Sequence, residues 1–316
     1  MKKILIIILS LIILLSICSY VFIPEKLEIA TVELANCNIN GVSRTIHNSH
    51  GWRKWWPGPD SLRHNTKADS IWYYYKGYHY HLDEKLYDAI KIQIKNKKTN
   101  IESTIHIFSL NFDSVAIEWK CSFYAGINPI TRILKYREAK SIRNNMTQIL
   151  SGLVSYLEDK RNIYGFNFHV IISKDSTLVA TKIITPDYPT TSEIYNLVGN
   201  LKKYIKSEGA KENNFPMLSV RKLENSEFKT MVAIPVNKRL KGKGEIFYRR
   251  FVPWKVLTAE VYGGNITVEK AMHQMNVYMS DYQQTAMAIP FESLVTDRSR
   301  EPDTLKWITN IYVPVP

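Results

Sequence analysis

Cysteine is scarce here, with three in 316 residues. Cys18, Cys37 and Cys121 lack the paired spacing of a metal site and are too few for a disulfide framework, so buried free thiols are expected. The chain has no Gly-x-Ser-x-Gly elbow, no Gly-x-Gly-x-x-Gly and no P-loop. Those absences argue against serine hydrolysis of the usual type and against nucleotide chemistry, and Gly242-Lys243-Gly244 is too short a signal to reverse this. Helix-turn-helix and zinc-finger spacings are missing too. The net charge of +13 is dispersed apart from the run Lys238 to Lys243 and the pair Arg249-Arg250, so no nucleic-acid partner is expected. Attraction to anionic lipid or polymer surfaces is the preferred use of that charge.

Charge is also absent from Ile4 to Ile23, a run as long as the ~20 residues that cross a bilayer. Lys2 and Lys3 precede it and Pro24-Glu25-Lys26 follow. The run exceeds the ~7–15 residues of a signal-peptide core, and Ile17 spoils a lipobox at Cys18. A single-pass transmembrane anchor over residues 1–26 is expected, with the lysines inside and the remainder extracytoplasmic. The membrane is then a partner through this helix.

Beyond Pro24, Leu27 to Leu34 alternates as a strand, and a short helix over Ile39 to Ile46 follows. The loop Trp52-Arg53-Lys54-Trp55-Trp56-Pro57-Gly58-Pro59 is either a lid or interface contact, or a plug at one end of a sheet, and the plug is preferred. From Ser70 to Tyr124, aromatic and β-branched runs broken by polar turns describe an antiparallel meander. His79 and His81 share one face of a strand there, a spacing open to a metal, but no third ligand stands at fixed spacing and no metal is expected. Apolar residues then recur at helical steps from Ile142 to Leu157, within a long helix expected over Ile133 to Lys160. The order of strand, small helix, Trp-Trp-Pro loop, meander, Asn-Pro and long helix resembles the polyketide-cyclase-like, or START-like, superfamily. That resemblance spans residues 27–162 and implies a helix-grip fold, an antiparallel sheet around a long C-terminal helix, with an apolar cavity.

The last part of the chain repeats itself. Leu178 to Ile184, a turn at Pro186, a helix over Thr190 to Ser207 and a strand ending Ala233-Ile234-Pro235-Val236 form one unit. Val256 to Tyr262, Gly263-Gly264, a helix from Ile266 and a strand ending Tyr312-Val313-Pro314-Val315 form a second. Two β-α-β-β units side by side would leave a cleft on their pseudo-two-fold axis. Val261-Tyr262-Gly263-Gly264, the helix Val268 to Tyr282, Pro290-Phe291-Glu292, Asp297 and the closing Ile311 to Val315 resemble the GyrI-like domain, the effector-binding domain of bacterial transcription activators. The resemblance covers residues 167–316. It implies binding of bulky hydrophobic or cationic small molecules, and in some members hydrolysis of small electrophiles by a pocket glutamate. Many members carry an acid just before the closing Ile-Tyr, where this chain has Asn310, which weakens both the cation preference and the hydrolase reading.

The expectation is an α+β protein: the anchor (1–26), a helix-grip domain (27–165) and a duplicated effector-binding domain (166–316). Its expected function is to bind a hydrophobic or cationic aromatic small molecule, without cofactor, catalytic residue or DNA-binding module. The candidate ligand-binding residues are Trp254, Tyr262, Trp307 and Tyr312 for aromatic surface, with Glu260, Glu292 and Asn310 as polar partners. A hydrolase using Glu292 or Glu260 as general base is the first alternative, and a structural envelope protein the second.

Overall fold

The computed structural model describes residues 2–58, 71–174 and 176–316. Pro59 and Ser70, at the borders of the tryptophan loop and the meander, lie outside the described residues. The chain divides into two compact units, Met1–Asp159 and Lys160–Pro316.

The first unit contains α1 (Lys2–Phe22), β1 (Lys26–Ala35), α2 (Ile39–His47) and a 3-10 turn (Ser49–Lys54). The meander β2 (Trp72–Tyr75), β3 (Tyr78–Lys85), β4 (Ala89–Lys95), β5 (Asn100–Asn111) and β6 (Ser114–Tyr124) follows, then α3 (Pro129–Leu157). The six strands form an antiparallel sheet in the order β1-β6-β5-β4-β3-β2. α3 starts earlier than its apolar stripe suggests because Asn128 accepts a hydrogen bond from the Ile130 amide and Pro129 fits the first helical turn. Its buried stripe runs through Ile142, Met146, Ile149, Leu150, Leu153 and Leu157.

Large rings fill this unit's interior. Trp52, Trp119 and Tyr80 are fully buried, and Trp119 Nε1 donates to Ser103 Oγ at 2.9 Å. Trp52 stacks on Trp56 at 5.9 Å with 3° between planes, and Trp55 tilts against both. The tryptophan loop is thus packed inward, with Arg53 and Lys54 exposed.

The expected transmembrane anchor is corrected here. Among the described residues no helix is long and apolar enough to cross a membrane. α1 does form, but one side of its C-terminal end meets protein: Ser19 and the following Ile23 are buried, the Tyr20 hydroxyl donates to Ile127 O, and the Arg132 guanidinium lies 4.8 Å from the Tyr20 ring. Ile4 to Cys18 alone would reach roughly 22 Å, short of the ~30 Å hydrocarbon layer. The single-pass localisation, the extracytoplasmic position and the membrane partner, all drawn from that anchor, fall with it.

The second unit opens with α4 (Lys160–Tyr164) and β7 (His169–Ile172). One repeat is β8 (Ser176–Thr185), α5 (Thr191–Ser207), β9 (Met217–Lys222) and β10 (Phe228–Val236). After β11 (Phe247–Phe251), the other is β12 (Lys255–Tyr262), α6 (Asn265–Asp281), β13 (Phe291–Leu294) and β14 (Ile308–Pro314). All eight strands join one sheet, β11-β8-β10-β9-β13-β14-β12-β7, a sequence that reads alike from either end. The short strand before each repeat is exchanged: β7 pairs with β12, and β11 pairs with β8.

Alternation along these strands separates two faces. Leu257, Ala259, Val261, Ile311 and Val313 pack with Ala271, Met275 and Tyr278 of α6 in one core. Val179, Leu218, Val232 and Ile234 pack with Leu197, Val198 and Leu201 of α5 in another. α5 is started by a reciprocal cap, in which Thr190 and Glu193 satisfy each other's backbone amides. At the start of α6, Gly263 has φ +126°, and a Cβ there would meet Thr267 Oγ1 at 2.7 Å, so the turn requires glycine. The opposite face of the sheet carries the cleft.

Candidate functional site: a cleft on the open face of the eight-stranded sheet

The open face is built from the residues between those that face the helices. Leu178, Ala180 and Ala233 form a small buried cluster there, against which Met217, Phe247 and Phe251 pack. Two adjoining lobes of about 270 and 260 Å³ share Leu178, Met217, Phe251 and Phe291. Three rings run across the boundary. Phe251 meets Phe291 edge-on at 5.4 Å, and Phe291 stacks on Tyr312 at 5.0 Å with 17° between planes. The stack follows from register, because Phe291 and Tyr312 are directly paired across β13 and β14.

The first lobe continues over Ile171, Ile172 and Val256 to a polar end with Ser173, Lys174, Ser176 and Asn214. The second continues over Ala180, Met231, Ala233 and Ile289, with Arg249 and Arg250 at its border. Every charged side chain lining either lobe, among the described residues, is therefore a cation.

The candidate residues divide between the faces. Tyr312 lines the first lobe. Asn310 is paired with Glu260 on one side and Ser293 on the other, and Tyr262 with Ile308, so all of these share the open face with Tyr312. Glu260 accepts a hydrogen bond from the Tyr262 hydroxyl, and both are exposed. Trp254 is 45 % exposed beside the first lobe, where its Nε1 donates to Val315 O at 2.8 Å and its carbonyl accepts from the Ser173 amide at 2.8 Å.

Glu292 and Trp307 belong to the helix side. Glu292 pairs with Ile311 and Leu218, both in the helix-facing cores. Its carboxylate lies 3.5 Å from the buried Arg298 guanidinium. Arg298 also donates to Thr309 Oγ1 at 2.7 Å and Asn265 Oδ1 at 3.2 Å, and its guanidinium lies 4.8 Å from the Trp307 ring. Burial pushes the Glu292 carboxyl above its ordinary range, and Arg298 opposes that rise. Burial likewise pushes the nearby Tyr188 phenol up to about 12, with Glu292 and Glu269 adding to the effect.

Sequence reasoning missed Ile171, Ile172, Leu178, Met217 and Phe251 as lining residues. For Leu178 and Met217 the two-residue alternation of their strands held a signal. For β7 and β11 it did not, because the cleft position of a four- or five-residue edge strand depends on which half it joins. Among the described residues no group of three or more His, Cys, Asp or Glu side chains is placed to hold a metal.

No family model matches the chain, and no curated protein does. Among solved structures it is similar to the EcmrR C-terminal domain, at 17% identity over 48% of this chain and 98% of that one, with a TM-score of 0.42. SAV2435, in a structure with bound tetraphenylphosphonium, is 17% identical over 48% of this chain and 94% of its own, with a TM-score of 0.33. The Zhui aromatase/cyclase from Streptomyces sp. R1128 is 9% identical over 43% of this chain and 95% of its own, with a TM-score of 0.34.

Proposed function

We propose that this chain binds a hydrophobic small molecule in the cleft of its second unit. The observation that carries the reading is the open face of the eight-stranded sheet: helices cover one side, while the other presents two joined apolar lobes crossed by Phe251, Phe291 and Tyr312. Apolar, aromatic-lined concavities with a few polar groups at one end are what small-molecule sites are made of. The resemblance of the closing motifs to the GyrI-like domain points the same way. A cationic ligand has less support, because neither Glu260 nor Glu292 lines a lobe and the lining charges are Lys174, Arg249 and Arg250.

The hydrolase alternative draws on the raised Glu292 carboxyl. That side chain is turned to the helix layer and held by Arg298, whereas a general base must reach its substrate within ~3 Å. Binding is the better reading.

The test is titration of the full chain with N-phenyl-1-naphthylamine, a neutral apolar fluorophore, followed by its emission. One saturable site is expected, lost in Ala233→Trp, whose indole would fill the second lobe. Emission that rises without saturation, or equally in that variant, would refute the cleft. A purely structural role predicts no saturable site at all.

A further inference from the structure

We propose that the ligand is an anionic amphiphile, a hydrocarbon chain ending in a carboxylate, with its head at Lys174 and its tail in the second lobe. This deepens the small-molecule reading above and rests on it.

The two lobes differ in a way that gives a ligand direction. The first ends among Ser173, Lys174, Ser176 and Asn214; the Ser173 hydroxyl donates to Val252 O and the Ser176 hydroxyl to Lys174 O, which leaves Lys174 and Asn214 as donors to a ligand. The second is floored by Leu178, Ala180, Met231 and Ala233, all apolar side chains. Because the lobes share Leu178, Met217, Phe251 and Phe291, one elongated molecule can pass from the polar end to the apolar floor.

The sign of the head group follows from the charges left uncompensated. Neither Lys174 nor Arg249 makes a salt bridge among the described residues. Arg249 extends beside the second lobe with its guanidinium 5.6 Å from the Phe247 ring, adding positive potential without closing the apolar floor. Among the described residues, Glu260 is engaged with Tyr262, and Glu292 with Arg298 on the far face. Among the described lining residues a cationic head would meet only like charge, whereas an anionic one would gain attraction to Lys174.

The duplication sharpens this. Matching Pro235 to Pro314 and following the strand pairings, Lys182 occupies the position of Glu260, and Arg249 that of Ile171. The half of the sheet around the first repeat is therefore basic where the other half is acidic or apolar, which raises the positive potential over the cleft face as a whole, although Lys182 lines neither lobe.

The test is calorimetric titration of the full chain with three ligands sharing one twelve-carbon chain: dodecanoate, dodecanol and dodecyltrimethylammonium, each kept below micelle formation. Dodecanoate is expected to bind about tenfold tighter than dodecanol, the gain of one charge-assisted contact, and dodecyltrimethylammonium weakest. Shortening dodecanoate should weaken binding by about fourfold per methylene. Lys174→Ala should bring dodecanoate to the affinity of dodecanol and leave dodecanol unchanged, which also reports an intact fold. Lys97→Ala/Lys98→Ala, which removes two exposed lysines of the first unit, should change neither. Equal affinity for the three ligands, or a preference for the ammonium, would overturn the anionic inference while leaving cleft binding in place. A dodecanoate preference that survives Lys174→Ala, or falls equally in the Lys97/Lys98 variant, would also overturn it by assigning the preference to overall charge. Absence of binding by all three would overturn both this inference and the reading beneath it.

Discussion

The last strands of the two repeats are alike on the helix side and differ on the cleft face. Both last strands carry a fully buried threonine, Thr230 or Thr309, five residues before a proline, and both end in Pro-Val. Around that frame the partners diverge. Thr309 Oγ1 receives the Arg298 guanidinium, whereas Thr230 Oγ1 is buried with no hydrogen-bond partner among the described residues. On the cleft side, Ala233 stands where the second repeat has Tyr312, and Met231 where it has Asn310. Packing against a helix constrains volume and polarity closely, so these last-strand positions stay alike, although in the neighbouring strand Glu292 stands where the first repeat has Leu218. The open face has no such partner, and there one repeat became the aromatic wall and the other the apolar floor.

Breaking the asymmetry on the helix side should have the largest effect. Arg298→Ala would strand the buried Glu292 carboxylate and empty the contacts to Thr309, Asn265 and Trp307. A loss of about 3–5 kcal/mol is expected in urea unfolding, and the first repeat offers no equivalent residue whose removal would match it.

The same node predicts a pH dependence. The folded pKa of Glu292 lies above its ordinary value of 4.5. The folded state therefore binds more protons than the unfolded state in the window opening at 4.5, so this group's stabilisation is complete below 4.5 and lost as pH rises through the folded pKa. Relative to Glu292→Gln, which does not titrate, the wild type should lose stability as pH rises from 4 to 8. Unfolding midpoints of the two proteins that run parallel across that range would contradict the assignment.

On the cleft side, Tyr312→Ala makes the second repeat resemble the first and removes the ring stacked on Phe291. Ligand affinity should fall about tenfold, the worth of one buried aromatic contact, with unfolding midpoints changing less than in Arg298→Ala.

The smallest effect is the most discriminating between repeats. Thr230→Val removes a buried hydroxyl that has no partner and should be neutral or stabilising by about 1 kcal/mol. Thr309→Val removes an acceptor from Arg298 and should cost about 1–2 kcal/mol. Opposite signs from one substitution at equivalent positions, read by thermal unfolding, would confirm that the repeats differ at this layer.

Much of this was legible in the chain. The alternation of Leu27 to Leu34 and Val256 to Tyr262, the Asn128-Pro129 start of α3, and the two Pro-Val strands are local signals that report local structure. Contacts distant in sequence were not legible. The exchange of β7 and β11 joins residues 67 to 89 positions apart, and it creates both ends of the cleft. Glu292 was nominated with Tyr312 as an acid close to the repeated strands, yet Phe291 and Glu292 are neighbours on a strand and must point to opposite faces. Only the pairing of Phe291 with Tyr312 tells which of the two enters the cleft. The apolar run at Ile4 to Ile23 was read by length and hydropathy, which carry no trace of the contacts Tyr20 makes with Ile127 and Arg132.

The most direct test of ligand binding in the cleft is native mass spectrometry of the full chain isolated from the cells that make it, followed by denaturation to identify whatever is released. A stoichiometric apolar molecule, present in the wild type and absent from Ala233→Trp, is the predicted result. A chain whose native and denatured masses agree, and which takes up no apolar molecule on incubation with N-phenyl-1-naphthylamine, would contradict it.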